Sequence, residues 1–252
     1  MANDFVGDSV KCRLYVDPAS VEFPPHVYPF SPVYRRNKTL EKKFKFGIYD
    51  AGINMLAKKG SYEGWWQVID DLPAGWEQVI PDFPYDVLVN CKNNTRTPEQ
   101  CLRESDEMIE KYHSLPQMIP SIQYIFGSAG SLRERLNNFF AVYPEVKRFG
   151  IGNTCKLTNN QKIKEIAIIM CNVIPDDCFP HIFGCPTRLL RILNQDARFK
   201  FSIDTNKFFW GTYNGMRVKA SGKGQRTQFL IEFIKKNFPA NNLPLTNKIM
   251  VI

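Results

Sequence analysis

RFGIGNTCKLTNNQKIKEIAIIMCNVIPDDCFPHIF, residues 148–183, is the stretch whose reading decides the fold. Its first run, residues 148–151, is apolar at neighbouring positions and ends in Gly150-Ile151-Gly152-Asn153. Residues 159–170 then carry isoleucine at 163, 166, 168 and 169 with lysines on the other face, the spacing of an amphipathic helix. A second run, 178–183, again reads as a strand buried on both faces. Strand, helix and strand in this order form a β–α–β unit, and such units build a parallel sheet.

The same texture extends in both directions. Strands are expected at residues 11–16, 44–49, 78–81, 118–123, 148–151, 178–183 and 199–203, with a weaker eighth at 216–220. Helices are expected at 97–113, 132–140, 159–170, 188–193 and 225–238, the first introduced by Thr97 with Pro98 in its opening turn. About eight units in 252 residues point to an α/β fold, a single-domain TIM-type (β/α)8 barrel spanning 1–252, with 241–252 as a peripheral tail. An open doubly wound sheet is the alternative. No glycine-rich dinucleotide fingerprint follows the first strand and no phosphate-loop GK[ST] pattern occurs, so no cofactor is implied. Residues 21–36, rich in proline and aromatics, read as a long loop. Residues 56–76, with Trp65, Trp66 and Trp76, read as a second elaborated connection above the barrel's carboxyl end.

Composition narrows the setting. Hydrophobic residues make up 44% of the chain, enough for one large core, and no apolar run approaches the ~20 residues that span a bilayer. The Met1-Ala2-Asn3-Asp4 start lacks a signal-peptide pattern, so a reducing cytoplasmic setting with free thiols is expected for the seven cysteines. A net charge of +8 favours a polyanionic partner, though a basic surface alone also suits a merely soluble protein.

In a barrel, polar residues that close strands are candidates for chemistry. Asp50 closes Phe46-Gly47-Ile48-Tyr49, Asp82 closes Val79-Ile80-Pro81 with Asp86 just beyond, and Gln123 closes Pro120-Ser121-Ile122. Gly150 and Gly152 flank the next strand end, and Asp204 closes Phe201-Ser202-Ile203. Any one of these aspartates also fits a helix cap or a turn, and either glycine fits tight packing. As a set they offer a carboxylate nucleophile and the donors and acceptors that a nitrogen-rich ring requires.

Tyr49-Asp50-Ala51-Gly52, Ile80-Pro81-Asp82-Phe83-Pro84-Tyr85-Asp86, Ser121-Ile122-Gln123, Phe149-Gly150-Ile151-Gly152-Asn153, His181-Ile182-Phe183-Gly184 and Phe201-Ser202-Ile203-Asp204-Thr205 together resemble the guanine transglycosylase superfamily. These enzymes exchange guanine for 7-deazaguanines in tRNA. The closer likeness is to their phage and bacterial DNA-modifying relatives of the DpdA type, and it runs from about Phe46 to Gly211. The resemblance implies Asp204 as nucleophile and Asp50 as the second catalytic aspartate. It implies Asp82, Gln123 and the Gly150–Gly152 backbone for base recognition, with Asp86 as the less favoured alternative to Asp82. The implied partners are DNA, alternatively tRNA, and a 7-deazaguanine base.

The sequence departs from that pattern in two places. The tRNA enzymes hold zinc through closely spaced cysteines, whereas here no Cys-x-x-Cys occurs and Cys171, Cys178 and Cys185 are spread out, so no metal site or zinc subdomain is expected. Ala51 stands where the family has serine. His181 reads as a core histidine. A tRNA-directed enzyme, a non-catalytic nucleic-acid-binding barrel and an unrelated barrel enzyme such as an isomerase or aldolase stay open.

Overall fold

The computed structural model describes residues 12–23, 27–64, 66–91, 94–205, 210–213 and 216–238. Along the chain run β1 (Cys12–Val16), β2 (Val27–Pro32), α1 (Lys38–Lys43), β3 (Gly47–Asp50), α2 (Ile53–Lys59), β4 (Trp76–Val79), α3 (Tyr85–Leu88) and α4 (Pro98–Tyr112). They are followed by β5 (Met118–Ile119 and Ser121–Ile122), α5 (Ala129–Val142), β6 (Gly150–Ile151), α6 (Asn160–Val173), β7 (His181–Ile182), α7 (Thr187–Leu193) and β8 (Phe201–Asp204). A hairpin of β9 (Trp210–Tyr213) and β10 (Met216–Lys219) leads into α8 (Lys223–Asn237).

Every pairing within β1–β8 is parallel. Neighbours follow chain order, and β1 returns to β8 through Cys12↔Phe201, Arg13↔Ser202, Leu14↔Ile203 and Tyr15↔Asp204. The sheet would break at β5, where Pro120 has no N–H to offer. Instead the two halves of that run serve opposite neighbours: Met118 and Ile119 pair with β4, and Ser121 and Ile122 pair with β6. The Pro120 carbonyl still accepts from Gly150 N–H at 2.7 Å. Nine parallel segments therefore form eight barrel strands, as expected of a TIM-type (β/α)8 barrel.

Local chemistry explains the helix starts. At α4, the Thr97 hydroxyl accepts from Gln100 N–H and the Gln100 side chain accepts from Thr97 N–H, a reciprocal cap with Pro98 in the first turn. Asn159 caps α6 through Gln161 and Lys162 N–H, and Asn37 caps α1 through Thr39 and Leu40 N–H. Strand side chains alternate between helices and lumen. Cys12, Leu14, Val16, Ile151, Ile182, Phe201 and Ile203 join Leu136, Ile166, Met170, Leu189 and Leu230 in the outer core. Tyr15, Ile48, Val79 and Ile119 belong to a second core with Leu56, Phe83 and Leu88.

Two strand assignments need correction. Residues 21–36 are not all loop: Val27–Pro32 is a barrel strand, alternately buried and half-buried, whose Pro29 and Pro32 give it the look of a connection. Residues 216–220 do contain a strand, but it pairs antiparallel with Trp210–Tyr213 outside the barrel. The barrel's eight strands are thus completed near the amino end rather than by a late strand. Three helices lie beyond the expected set, α1, α2 and α3. The expected tail 241–252 lies outside the described residues. No helix among the described residues is long and apolar enough to cross a membrane.

Candidate active site at the carboxyl end of the barrel

Parallel strands in a barrel end on one rim, so residues closing successive strands meet there. Asp50 closes β3, Asp204 closes β8, and Asp82 follows β4 after Pro81. Their carboxylates act electrostatically on one another: Asp50 feels both Asp82 and Asp204. The structure thus brings three carboxylates, far apart in sequence, into one cluster.

Each has a different environment. Burial first, then the Asp82 charge and more weakly that of Asp204, push the Asp50 carboxyl up to about 7, against the stabilising Gly52 N–H at 2.9 Å. Asp82 is buried and accepts from Ser121 Oγ at 2.7 Å and from the Gln123 amide through the same oxygen. Burial outweighs those donors and lifts its carboxyl to about 6. Asp204 accepts from Gly184 N–H at 2.7 Å, and its side chain keeps 23% of its surface open, so a substrate can reach it.

Asp86 sits at the start of α3, where its N–H donates to Asn153 Oδ1 and its carbonyl accepts from Lys156 Nζ. It is 3% exposed, yet neither carboxylate oxygen makes a well-formed hydrogen bond. Burial raises its carboxyl above the usual range, against the pull of the Lys156 ammonium. Gln123 is fully buried, and its Oε1 also lacks a donor. The Asp86 carboxylate, stabilised by the Val87 and Lys156 backbone N–H groups, and Gln123 Oε1 are thus buried acceptors to which a ligand's N–H groups are suited.

The glycines serve shape. Gly150 N–H bonds Pro120 O and Gly152 N–H bonds Ile122 O, so both amides are engaged in the ladder and neither is free to bind a base. A Cβ at Gly150 would strike the Phe183 ring, and one at Gly152 would strike the Gln123 amide. The backbone-donor role expected of this pair gives way to close approach.

Sequence reasoning missed several participants. His181, expected as a structural core histidine, is fully buried with Nε2 3.4 Å from Asp204 Oδ1. Burial lowers its pKa against the opposing Asp204 charge, so the imidazole is neutral at pH 7. Its ring lies stacked on Phe30 at 5.6 Å and edge-on to Phe183 at 4.6 Å. Ser121 donates to Asp82, and the Tyr62 hydroxyl donates to the Asp82 carbonyl. The signal that could have found His181 and Ser202 was alternation: Ser202 and Asp204 share the lumen face of β8, opposite Phe201 and Ile203.

The described tryptophans of residues 56–76 pack against other aromatic rings. Trp76 is buried in β4 against Tyr49 at 5.1 Å and donates to Phe44 O, while Trp66 packs edge-on against Tyr112 at 5.0 Å. Trp65 lies outside the described residues. Among the described residues, no group of three or more His, Cys, Asp or Glu side chains is arranged to hold a metal ion. No protein-family model matches the chain, and no curated protein matches it.

Proposed function

We propose that the protein exchanges a nucleobase on nucleic acid, as a DNA-guanine transglycosylase that inserts a 7-deazaguanine through a glycosyl-aspartate intermediate. The reading rests on the clustering of Asp50, Asp82 and Asp204 at one rim, with one carboxyl able to hold a proton near neutrality and another fixed by a backbone donor.

A divided pair of this kind suits displacement at an anomeric carbon. Asp204 attacks C1′ as the C1′–N9 bond breaks, and the bond's electron pair leaves with guanine. Protonated Asp50 supplies the proton that the departing base needs. The incoming base returns a proton to Asp50, its ring nitrogen attacks C1′, and Asp204 is released. Asp82, Asp86 and Gln123 present acceptors to the ring N–H and exocyclic amine of a guanine-like edge, with Gln123 Oε1 and both Asp86 oxygens available for them. The target nucleotide must be single-stranded or flipped to reach a site at the rim.

The test is transfer of labelled guanine and 7-deazaguanine into single-stranded DNA, duplex DNA and tRNA, with trapping of a denaturation-resistant protein–nucleic acid adduct. Exchange into DNA with an adduct that Asp204→Asn abolishes is the expected result. Exchange confined to tRNA would move the substrate while leaving the chemistry. Unchanged nucleic-acid binding with no exchange in parent and Asp204→Asn alike would leave a binding barrel.

A further inference from the structure

A continuous polar column rises through the barrel beneath Asp204. At its base the Arg148 guanidinium holds Glu77 in a buried ion pair at 2.9 Å. Arg148 Nη1 donates to Ser202 Oγ at 2.8 Å as well as to the Phe179 carbonyl. Ser202 Oγ lies 2.9 Å from His181 Nδ1, and His181 Nε2 lies 3.4 Å from Asp204 Oδ1, close enough to attract it but without the geometry of a formed hydrogen bond. Glu77, Arg148, Ser202 and His181 are all buried.

Donor and acceptor counting fixes the direction of this chain. A guanidinium only donates, so Ser202 Oγ accepts from Arg148 and keeps its single proton for a second partner. The neutral His181 ring can take that proton's bond at Nδ1, which places the ring hydrogen on Nε2. The reverse tautomer would leave a fully buried hydroxyl hydrogen without an acceptor and would turn a lone pair toward the Asp204 carboxylate. Phe30 and Phe183 hold the ring plane in either case.

We propose that His181 is the positioning residue for Asp204: the Glu77–Arg148–Ser202 column locks its imidazole in the Nε2–H tautomer, and that N–H steers the Asp204 carboxylate together with Gly184 N–H. The inference rests on the base-exchange reading only for what Asp204 then does. His181 touches no reacting atom and works through Asp204.

The test is long-range proton–nitrogen NMR of the full chain labelled at its three histidines, with the His181 signals assigned by their loss in His181→Phe. In the parent protein the expected pattern is a protonated Nε2 and a bare Nδ1, unchanged between pH 8 and pH 7. Ser202→Ala, which removes the donor at Nδ1, leaves the ring proton on Nε2 facing Asp204 and moves the bare Nδ1 resonance downfield. It also slows adduct formation on the order of 10²-fold with guanine affinity unchanged, because the nucleophile is displaced while the base pocket is not. An Nδ1–H tautomer or an imidazolium in the parent at pH 7 overturns the proposal, and so does a Ser202→Ala Nδ1 resonance identical to the parent's. An Nε2–H tautomer in a protein that forms no adduct supports the column and refutes base exchange, so the two failures are told apart.

Discussion

Asp50 makes the sharpest case at the scale of single residues. Its carboxyl ordinarily titrates at 3.8 and is lifted to about 7 by burial and by Asp82. Between those values the folded chain binds a proton that the unfolded chain has released, so stability falls as pH rises through this window. Asp50→Asn removes the penalty, and above pH 7 the variant should exceed the parent by about 2 kcal/mol, a figure reduced because the side chain is not sealed from water. Urea unfolding at pH 5 and pH 8 measures this; equal pH dependence in variant and parent would refute it. Asp82 keeps part of the dependence, because coupled carboxyls titrate as a pair. On the base-exchange reading the same substitution abolishes release of guanine, and the parent's release rate falls above pH about 7 as Asp50 loses its proton. The carboxylates were legible in the sequence because each closes a strand run, and parallel strands of a barrel end on one rim. His181 was not, since its meaning lies in Ser202 and Asp204 on the following strand and in Arg148 just before the preceding one.

At the scale of elements, β6 shows how two glycines of one Gly-x-Gly turn do different work. At Gly152 an added methyl would meet the end of the Gln123 side chain, which can rotate away; at Gly150 it would meet the Phe183 ring, wedged against His181. Gly152→Ala should therefore destabilise by about 1–3 kcal/mol by pulling the buried Gln123 amide from Asp82, and weaken guanine binding roughly tenfold. Gly150→Ala should destabilise by about 2 kcal/mol through overpacking. Denaturant unfolding and equilibrium dialysis with guanine follow the two; guanine binding weakened in Gly150→Ala and unchanged in Gly152→Ala would refute the assignment. Most strands and the long helices could be read from apolar period and caps. β2 could not, because Pro29 and Pro32 remove two donors and imitate a loop. The 216–219 strand was recognised as a strand and given the wrong partner, since β-branched alternation reports a pleated, half-buried surface and says nothing about which strand lies beside it.

At the scale of the molecule, closure depends on residues that no local pattern reveals. The first and last barrel strands meet across almost the whole described chain, Cys12 beside Phe201, and the lumen beneath them is charged rather than uniformly apolar. Arg13 lies over the Phe46 ring at 3.9 Å, and Arg13 and Arg148 both face the Phe179 ring, at 5.2 and 5.0 Å. Glu77 is the counter-charge of Arg148 in this layer, and it comes from β4, across the barrel from β8. Glu77→Gln leaves Arg148 buried without its partner and sharing an aromatic face with a second guanidinium, which should destabilise by about 3–5 kcal/mol. Raising salt to about 0.5 M should not restore the loss, because mobile ions do not screen a pair enclosed in the lumen. Glu77→Leu combined with Arg148→Met removes both charges and their desolvation together, so it should recover most of that stability. The double variant nevertheless deprives Ser202 of the donor that orients it. It should therefore fold well and yet shift the His181 Nδ1 resonance as the Ser202 hydroxyl loses its orientation, separating what holds the barrel shut from what aims Asp204. Urea unfolding of the single and double variants decides the first point; a Glu77→Gln protein within 1 kcal/mol of the parent would show that the lumen pair is dispensable to closure.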